Sequence, residues 1–154
     1  MRTNHNLLTK TGLILAVLLK TGNGLAQNEG SLSKTAPVTS DTLLATTVSW
    51  NGTPLPPYPS GTPEIHIMRY TIQPHTKMSV HRHAIINGGY MLAGTLTIIS
   101  ETGEERTFRA GDALVETTGT WHYGENRGET PVVVVMFYAG AEGIRLSEKK
   151  RPQR

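Results

Sequence analysis

Between residues 64 and 140 the chain is a succession of short β-rich runs, each stopped by a glycine or proline turn, and none carries a helical period. The runs are EIHIMRYTI (64–72), KMSVHRHAI (77–85), GYMLAGTLTIIS (89–100, broken at Gly94), RTFRA (106–110), ALVET (113–117) and VVVVMFYAG (132–140), and TTGTWH (117–122) turns into a further strand. Pro74, the charged ETGEE segment (101–105), Gly111-Asp112 and Thr130-Pro131 mark the turns. Strands of this length and spacing predict an all-β protein, a small antiparallel β-barrel or sandwich. At 154 residues the chain suits one such domain with a real core. It has no cysteine, which excludes a disulfide scaffold, a thiolate metal site, a cysteine nucleophile and a lipid-anchored cysteine.

The N-terminal segment reads as an export signal. Arg2 and Lys10 form a positive region, TGLILAVLL (11–19) a short apolar one, and Gly24 and Ala26 put small residues before a cleavage point after Ala26. The expected organisation is a signal peptide over 1–26, a flexible Ser/Thr/Gly-rich linker over 27–47, a β-barrel domain over 48–146 and a basic disordered tail over 147–154. The protein is then exported, periplasmic or secreted, with no integral span after cleavage. Trp50 opens a proline-rich stretch that is neither helix nor strand, with Trp50 and Tyr58 as apolar anchors along the domain surface.

The formal charge of +3 is misleading. Arg2, Lys10 and Lys20 lie in the signal, and Lys149, Lys150, Arg151 and Arg154 in the tail. Without both segments 8 basic residues face 11 acidic ones. The basicity therefore belongs to the termini rather than to a folded face, and no nucleic-acid partner is expected. The C-terminal charges read as a frayed, solvated end.

The chemistry centres on His81-Arg82-His83. On a strand, residues i and i+2 share a face, so both imidazoles point one way and Arg82 the other. His122, on a later strand, can join them where the inward faces of a small barrel converge. Imidazole suits zinc, copper, iron and nickel.

In these residues the chain resembles the cupin superfamily. The first cupin motif runs as Gly, five residues, HxH, three or four residues, Glu, six residues, Gly; here it is His75, His81, His83, Asn87 and Gly94. The second runs as Gly, five residues, Pro-x-Gly, two residues, His, three residues, Asn; here it is Gly111, Thr117, Gly119, His122 and Asn126. The chain looks most like the small exported single-domain cupins, the type-2 conserved barrel. That resemblance implies a jelly-roll barrel with a metal held inside by His81, His83 and His122. It makes Gly94, Gly111, Gly119 and Asn126 structural motif positions, with Asn126 holding a turn by side-chain hydrogen bonds. Three positions depart from the family pattern: Asn87 in place of a metal-binding Glu, Thr117 in place of Pro, and His75 in place of a turn Gly.

With Asn87, three neutral imidazoles and an amide leave a divalent site near +2, a strong Lewis acid. Asn87 then ligates weakly or orients a water; the competing reading is a decayed site kept for its barrel. The cofactor expected is one divalent transition metal ion, zinc or copper on the affinity order of an extracytoplasmic compartment, with iron, manganese and nickel open. Alternation on the strand after Asn87 puts Gly89, Met91 and Ala93 on its face, so Met91 lines the pocket; ordinary core is the other reading of Met91. Tyr90 and Leu92 face away, and Trp121 is structural. His75 reads as a surface turn residue. Glu116 reads as an exposed strand carboxylate, an acid or base near the mouth being the lesser reading.

The function expected is a metal-dependent enzyme acting on a small molecule outside the cytoplasm. The alternative is a non-catalytic module that binds a small ligand or metal. A homodimer is expected in either case, with the apolar run at 132–140 central or at the interface. No second catalytic group stands out in the sequence.

Overall fold

The computed structural model describes residues 38–151, and the fold below is that of the unit Ser40–Arg154. The expected signal peptide, the linker as far as residue 37, and residues 152–154 lie outside the described residues. Among the described residues ten strands run in chain order: β1 (Pro63–Ile72), β2 (Thr76–Lys77), β3 (His81–Arg82), β4 (Ile86–Ala93), β5 (Thr95–Ser100), β6 (Glu105–Arg109), β7 (Ala113–Val115), β8 (His122–Asn126), β9 (Val132–Ala141) and β10 (Glu148–Lys149). No helix of the described residues is long and apolar enough to cross a membrane.

The strands form two antiparallel sheets. One has the order β1-β9-β4-β7; the other has β10-β3-β8-β5-β6, with β2 also paired to β8. The core lies between them: Met91, Val134 and Met136 from the first sheet meet Leu96, Ile98 and Phe108 from the second. The architecture is an all-β jelly-roll sandwich.

β9 shows why the alternation works. Its even-numbered residues Val132, Val134, Met136 and Tyr138 are buried, and Phe137 between them is exposed. β9 is central, paired to β1 from Pro63↔Ala141 to Ile72↔Val132 and to β4 on its other side. Tyr90 and Leu92 turn outward, as alternation expects. Gly94 separates β4 from β5 with φ 75°, and a Cβ there would lie 2.7 Å from the Pro131 carbonyl oxygen. Only glycine fits that turn.

Three expectations are corrected. The run 77–85 is not one strand: β2 and β3 are two-residue pieces, both paired to β8. From Lys77 to His81 the chain takes four steps while β8 takes three, from Glu125 back to His122. That extra residue is the count of a β-bulge, and it reverses which face later side chains present. Without it His81 would share the outward face of Lys77; with it His81 lies opposite His122 and faces inward. Next, residues 148–150 of the expected tail are not frayed. Glu148 and Lys149 form β10 against Arg82 and His81, Lys150 N donates to Val80 O at 2.9 Å, and Arg82 binds Glu148 at 2.7 Å. Finally, Tyr58 is 75% exposed and anchors nothing, whereas Trp50 is buried with its backbone N–H donating to Val115 O.

Candidate metal centre

His81 and His122 are cross-strand partners on β3 and β8, and His83 follows on a single bridge to Thr118. The three ring centroids lie 4.6–5.3 Å apart. Each Nδ1 is tied to a backbone carbonyl: His81 to Ser79 at 2.9 Å, His83 to Leu146 at 2.7 Å, and His122 to Thr120 at 2.8 Å. A carbonyl only accepts, so each Nδ1 carries a proton and each Nε2 is the nitrogen left to face the centre. The Nε2 atoms of His83 and His122 are buried and have only Glu116 nearby. Such orientation of imidazoles through their second nitrogen is how proteins hold metal-binding histidines.

The fourth member is Glu116, just beyond β7. Its Oε2 lies 2.9 Å from His83 Nε2 and its Oε1 3.6 Å from His122 Nε2. One donor atom from each of His81, His83, Glu116 and His122 falls within 4.8 Å of the others, so the cluster can hold a metal ion. Glu116 is 9% exposed, which overturns its reading as an exposed strand carboxylate. Strand β7 ends by turning into the barrel, and alternation from buried Leu114 carries Glu116 inward.

Asn87 occupies β4 directly beside this carboxylate: Glu116 N donates to Asn87 O at 3.1 Å. Asn87 also pairs with Tyr138 on β9, so its side chain shares the inward face. It is 1% exposed, and neither its Nδ2 nor its Oδ1 has a partner. The carboxylate that the first motif lacks at position 87 is thus supplied from the adjacent strand. With Glu116 ionised, a divalent ion would sit in a site near +1 rather than +2. The sequence contained a signal for this, since Glu116 falls two residues after an inward Leu114, but only the β4–β7 register puts it beside Asn87.

The charges fit a shared centre. Burial works to raise the Glu116 carboxyl, but His122 and His83 beside it outweigh burial and hold it well below the usual carboxylate range. Burial works to lower His83, and the Glu116 carboxylate outweighs it, raising the imidazole above its ordinary value. Burial lowers His81, against the pull of its bond to Ser79.

The remaining motif residues lie around the centre rather than in it. Asn126 Nδ2 reaches the carbonyls of Ile72, Gln73 and Thr130 at 2.9–3.1 Å, and its Oδ1 accepts from Gly128 N. Gly119 N donates to His83 O, and Thr117 Oγ1 lies 3.2 Å from His122 Nδ1. Gly111 takes φ 94° in the turn before β7. His75, at φ 55°, contacts Glu129 on the surface, away from the cluster. Trp121 stacks under the Arg82 guanidinium.

A cavity of about 410 Å³ opens onto the centre, walled by Ile72, Leu96, Leu114, Val134 and Met136, with His81, His83 and Glu116 at one end. Met91 is not among its walls. It is fully buried core. Met136, which does line the cavity, fills with its Sδ the space a Gly89 Cβ would need. Tyr138 and Tyr70 also line the cavity, their hydroxyls 3.1 Å apart and the Tyr138 ring 5.7 Å from that of His83. Burial, then the Tyr70 hydroxyl, pushes the Tyr138 phenol well above its ordinary value, so it stays protonated. This pair was missed in the sequence, although Tyr138 sits at an inward position of β9.

The Cupin domain family model matches residues 68–138. Germin-like protein 8-14 of Oryza sativa subsp. japonica is 29% identical over 75 residues, which are 48% of this chain and 35% of that protein. The chain therefore spans about a third of that relative's length. The polyketide cyclase RemF from Streptomyces resistomycificus superposes with a TM-score of 0.50 at 12% identity, over 58% of this chain and 62% of that one. A conserved protein with a double-stranded beta-helix domain from Klebsiella pneumoniae gives 0.48 at 22% identity, over 59% of this chain and 90% of that one. At such identities the RemF likeness shows the fold alone. Motifs, jelly-roll topology and family model agree in likening residues 68–138 to the cupin superfamily.

Proposed function

We propose that the protein is a metal-dependent enzyme acting on a small molecule outside the cytoplasm, as a periplasmic or secreted protein. The observation that carries this reading is the convergence of His81, His83, His122 and Glu116, with the imidazole Nε2 atoms turned to one centre, beside an apolar cavity. The export reading rests on the pattern of residues 1–26. Three imidazoles and a carboxylate suit one divalent transition ion, and the affinity order for such donors favours copper or zinc over manganese or ferrous iron.

A bound ion would supply Lewis-acid polarisation of a substrate oxygen. The protein's own groups do the rest. The backbone carbonyls of Ser79, Leu146 and Thr120 fix the imidazoles. The apolar walls exclude water from the reacting end. Tyr138 holds a proton on its hydroxyl, backed by Tyr70, and is placed to donate a hydrogen bond to a group bound beside His83. Asn87 holds an unpartnered amide on the strand beside Glu116, where it would orient a water.

The outer face of the first sheet supports a homodimer. Ile65, Ile67, Leu92 and Phe137 are half or more exposed there, or close to it, an unusual apolar concentration for a lone subunit. Light scattering on wild type and Phe137→Glu would read the oligomer, the dimer being expected only in wild type.

The test of the main reading is elemental analysis of exported, untagged protein beside a His81→Ala/His83→Ala variant. About one transition-metal ion per chain, lost in the variant with the β-fold kept, is expected. Equal, negligible metal in both would overturn it and leave a binding module.

A further inference from the structure

We infer that the cavity takes a small organic anion, its apolar body inside the barrel and its charged head at a basic rim formed by Lys149, Arg145 and Arg151. The inference deepens the enzyme reading above and rests on it for the site's use, though not for the binding itself.

The inner cavity is walled mostly by apolar side chains and is within the size range of small-molecule sites. It meets a second, outer chamber of about 710 Å³ at His83, Ser147 and Lys149, which line both. The outer chamber is lined by Arg82, Arg145, Lys149 and Arg151, with Glu148 its acid. Arg82 and Glu148 neutralise one another through two hydrogen bonds of 2.7 and 2.9 Å. Arg145, Lys149 and Arg151 make no salt bridge among the described residues. Three cations without a salt-bridge partner among the described residues therefore line the outer chamber, and one of them, Lys149, stands where the two chambers join.

The register aims one of them. Lys149 is the antiparallel partner of His81, so the two side chains leave the sheet on the same face, and His81 faces the metal centre. Lys77 also borders the inner cavity, but its ammonium lies over the Tyr123 ring at 4.1 Å and is engaged there. The inner cavity's acid is Glu116, already held among the histidines. A cleft with low-dielectric walls and cations at its mouth draws anions and holds their heads. An alcohol of the same skeleton would gain the apolar contact but not the charge.

The test is calorimetric titration of the zinc-loaded full chain with hexanoate, hexyl phosphate and hexan-1-ol. Wild type should bind at least one of the two anions more tightly than the alcohol, and which one binds tells carboxylate from phosphate heads. Lys149→Met/Arg145→Met should weaken that anion about tenfold, as expected for loss of a charge-assisted contact, and leave the alcohol unchanged. Lys149→Arg should retain anion binding, and raising salt from about 0.05 to about 0.5 M should weaken it in wild type more than in the double variant. Equal anion affinity in wild type and double variant would overturn the inference, as would an alcohol that binds as tightly as the anions. The His81→Ala/His83→Ala protein separates the two readings. Anion preference kept there without metal upholds the rim even if the metal reading falls, and metal retained without anion preference in wild type does the reverse.

Discussion

Replacing Glu116 by Gln tests the idea that the carboxylate missing at position 87 has moved one strand across. The change is close to isosteric and removes one buried charge whose oxygens lie 2.9 and 3.6 Å from two imidazole nitrogens. Two unit charges about 4 Å apart at an effective dielectric of about 20 interact by about 4 kcal/mol. Part of that is offset, because in the metal-free protein Glu116 already stabilises a proton on His83 that the ion must displace. A net loss of about 2–3 kcal/mol remains, or roughly a hundredfold in zinc affinity. Competition against a chelating dye at fixed pH, with circular dichroism to confirm the fold, measures it. Adding Asn87→Glu to Glu116→Gln should recover most of the loss, since residue 87 abuts Glu116 and faces the same interior. Affinity within twofold of wild type in Glu116→Gln would refute the carboxylate as a ligand. Failure of the double variant to recover would refute the exchange between strands.

Three further outcomes follow from the same geometry. Met91→Ala should cost about 2–5 kcal/mol in urea unfolding, as a core truncation does, and leave metal content unchanged; a change in metal content with little loss of stability would return Met91 to the pocket. Gly94→Ala should destabilise by more than about 1 kcal/mol, because φ is positive and the new Cβ meets the Pro131 carbonyl; a neutral result in thermal unfolding would contradict it. In metal-free protein, the raised His83 contributes stability that is fully present below its unfolded value of 6.5 and is lost as pH rises through its higher folded value. The stability gap between wild type and Glu116→Gln should therefore be wider near pH 5.5 than near pH 9, and a gap that widens with pH would reverse the assignment.

Much of this protein was legible in the order of its residues. The unbroken apolar run at 132–140, with Pro131 before it and Gly140 at its end, marks β9 as a strand, and the structure adds which of its alternating faces is buried. Glycine at position 94 is demanded by a backbone that admits no Cβ. The motif spacing brought His81, His83 and His122 forward as a group and placed Asn126 at a turn. What remained hidden depended on register and on contacts between residues far apart in sequence. The bulge between Lys77 and His81 decides that His81 faces inward, and it exists only as a mismatch in count against β8. Glu116 reads as an ordinary strand carboxylate until β7 pairs with β4 and sets it beside Asn87. Met91 reads as pocket until the two sheets close over it and make it fully buried core. The basic C-terminal residues read as a solvated end until β10 pairs with β3 and brings their charge to the cavity mouth. Local pattern determines which face a side chain takes along its own strand; pairing with a distant strand decides what that face meets, and no single segment carries that information.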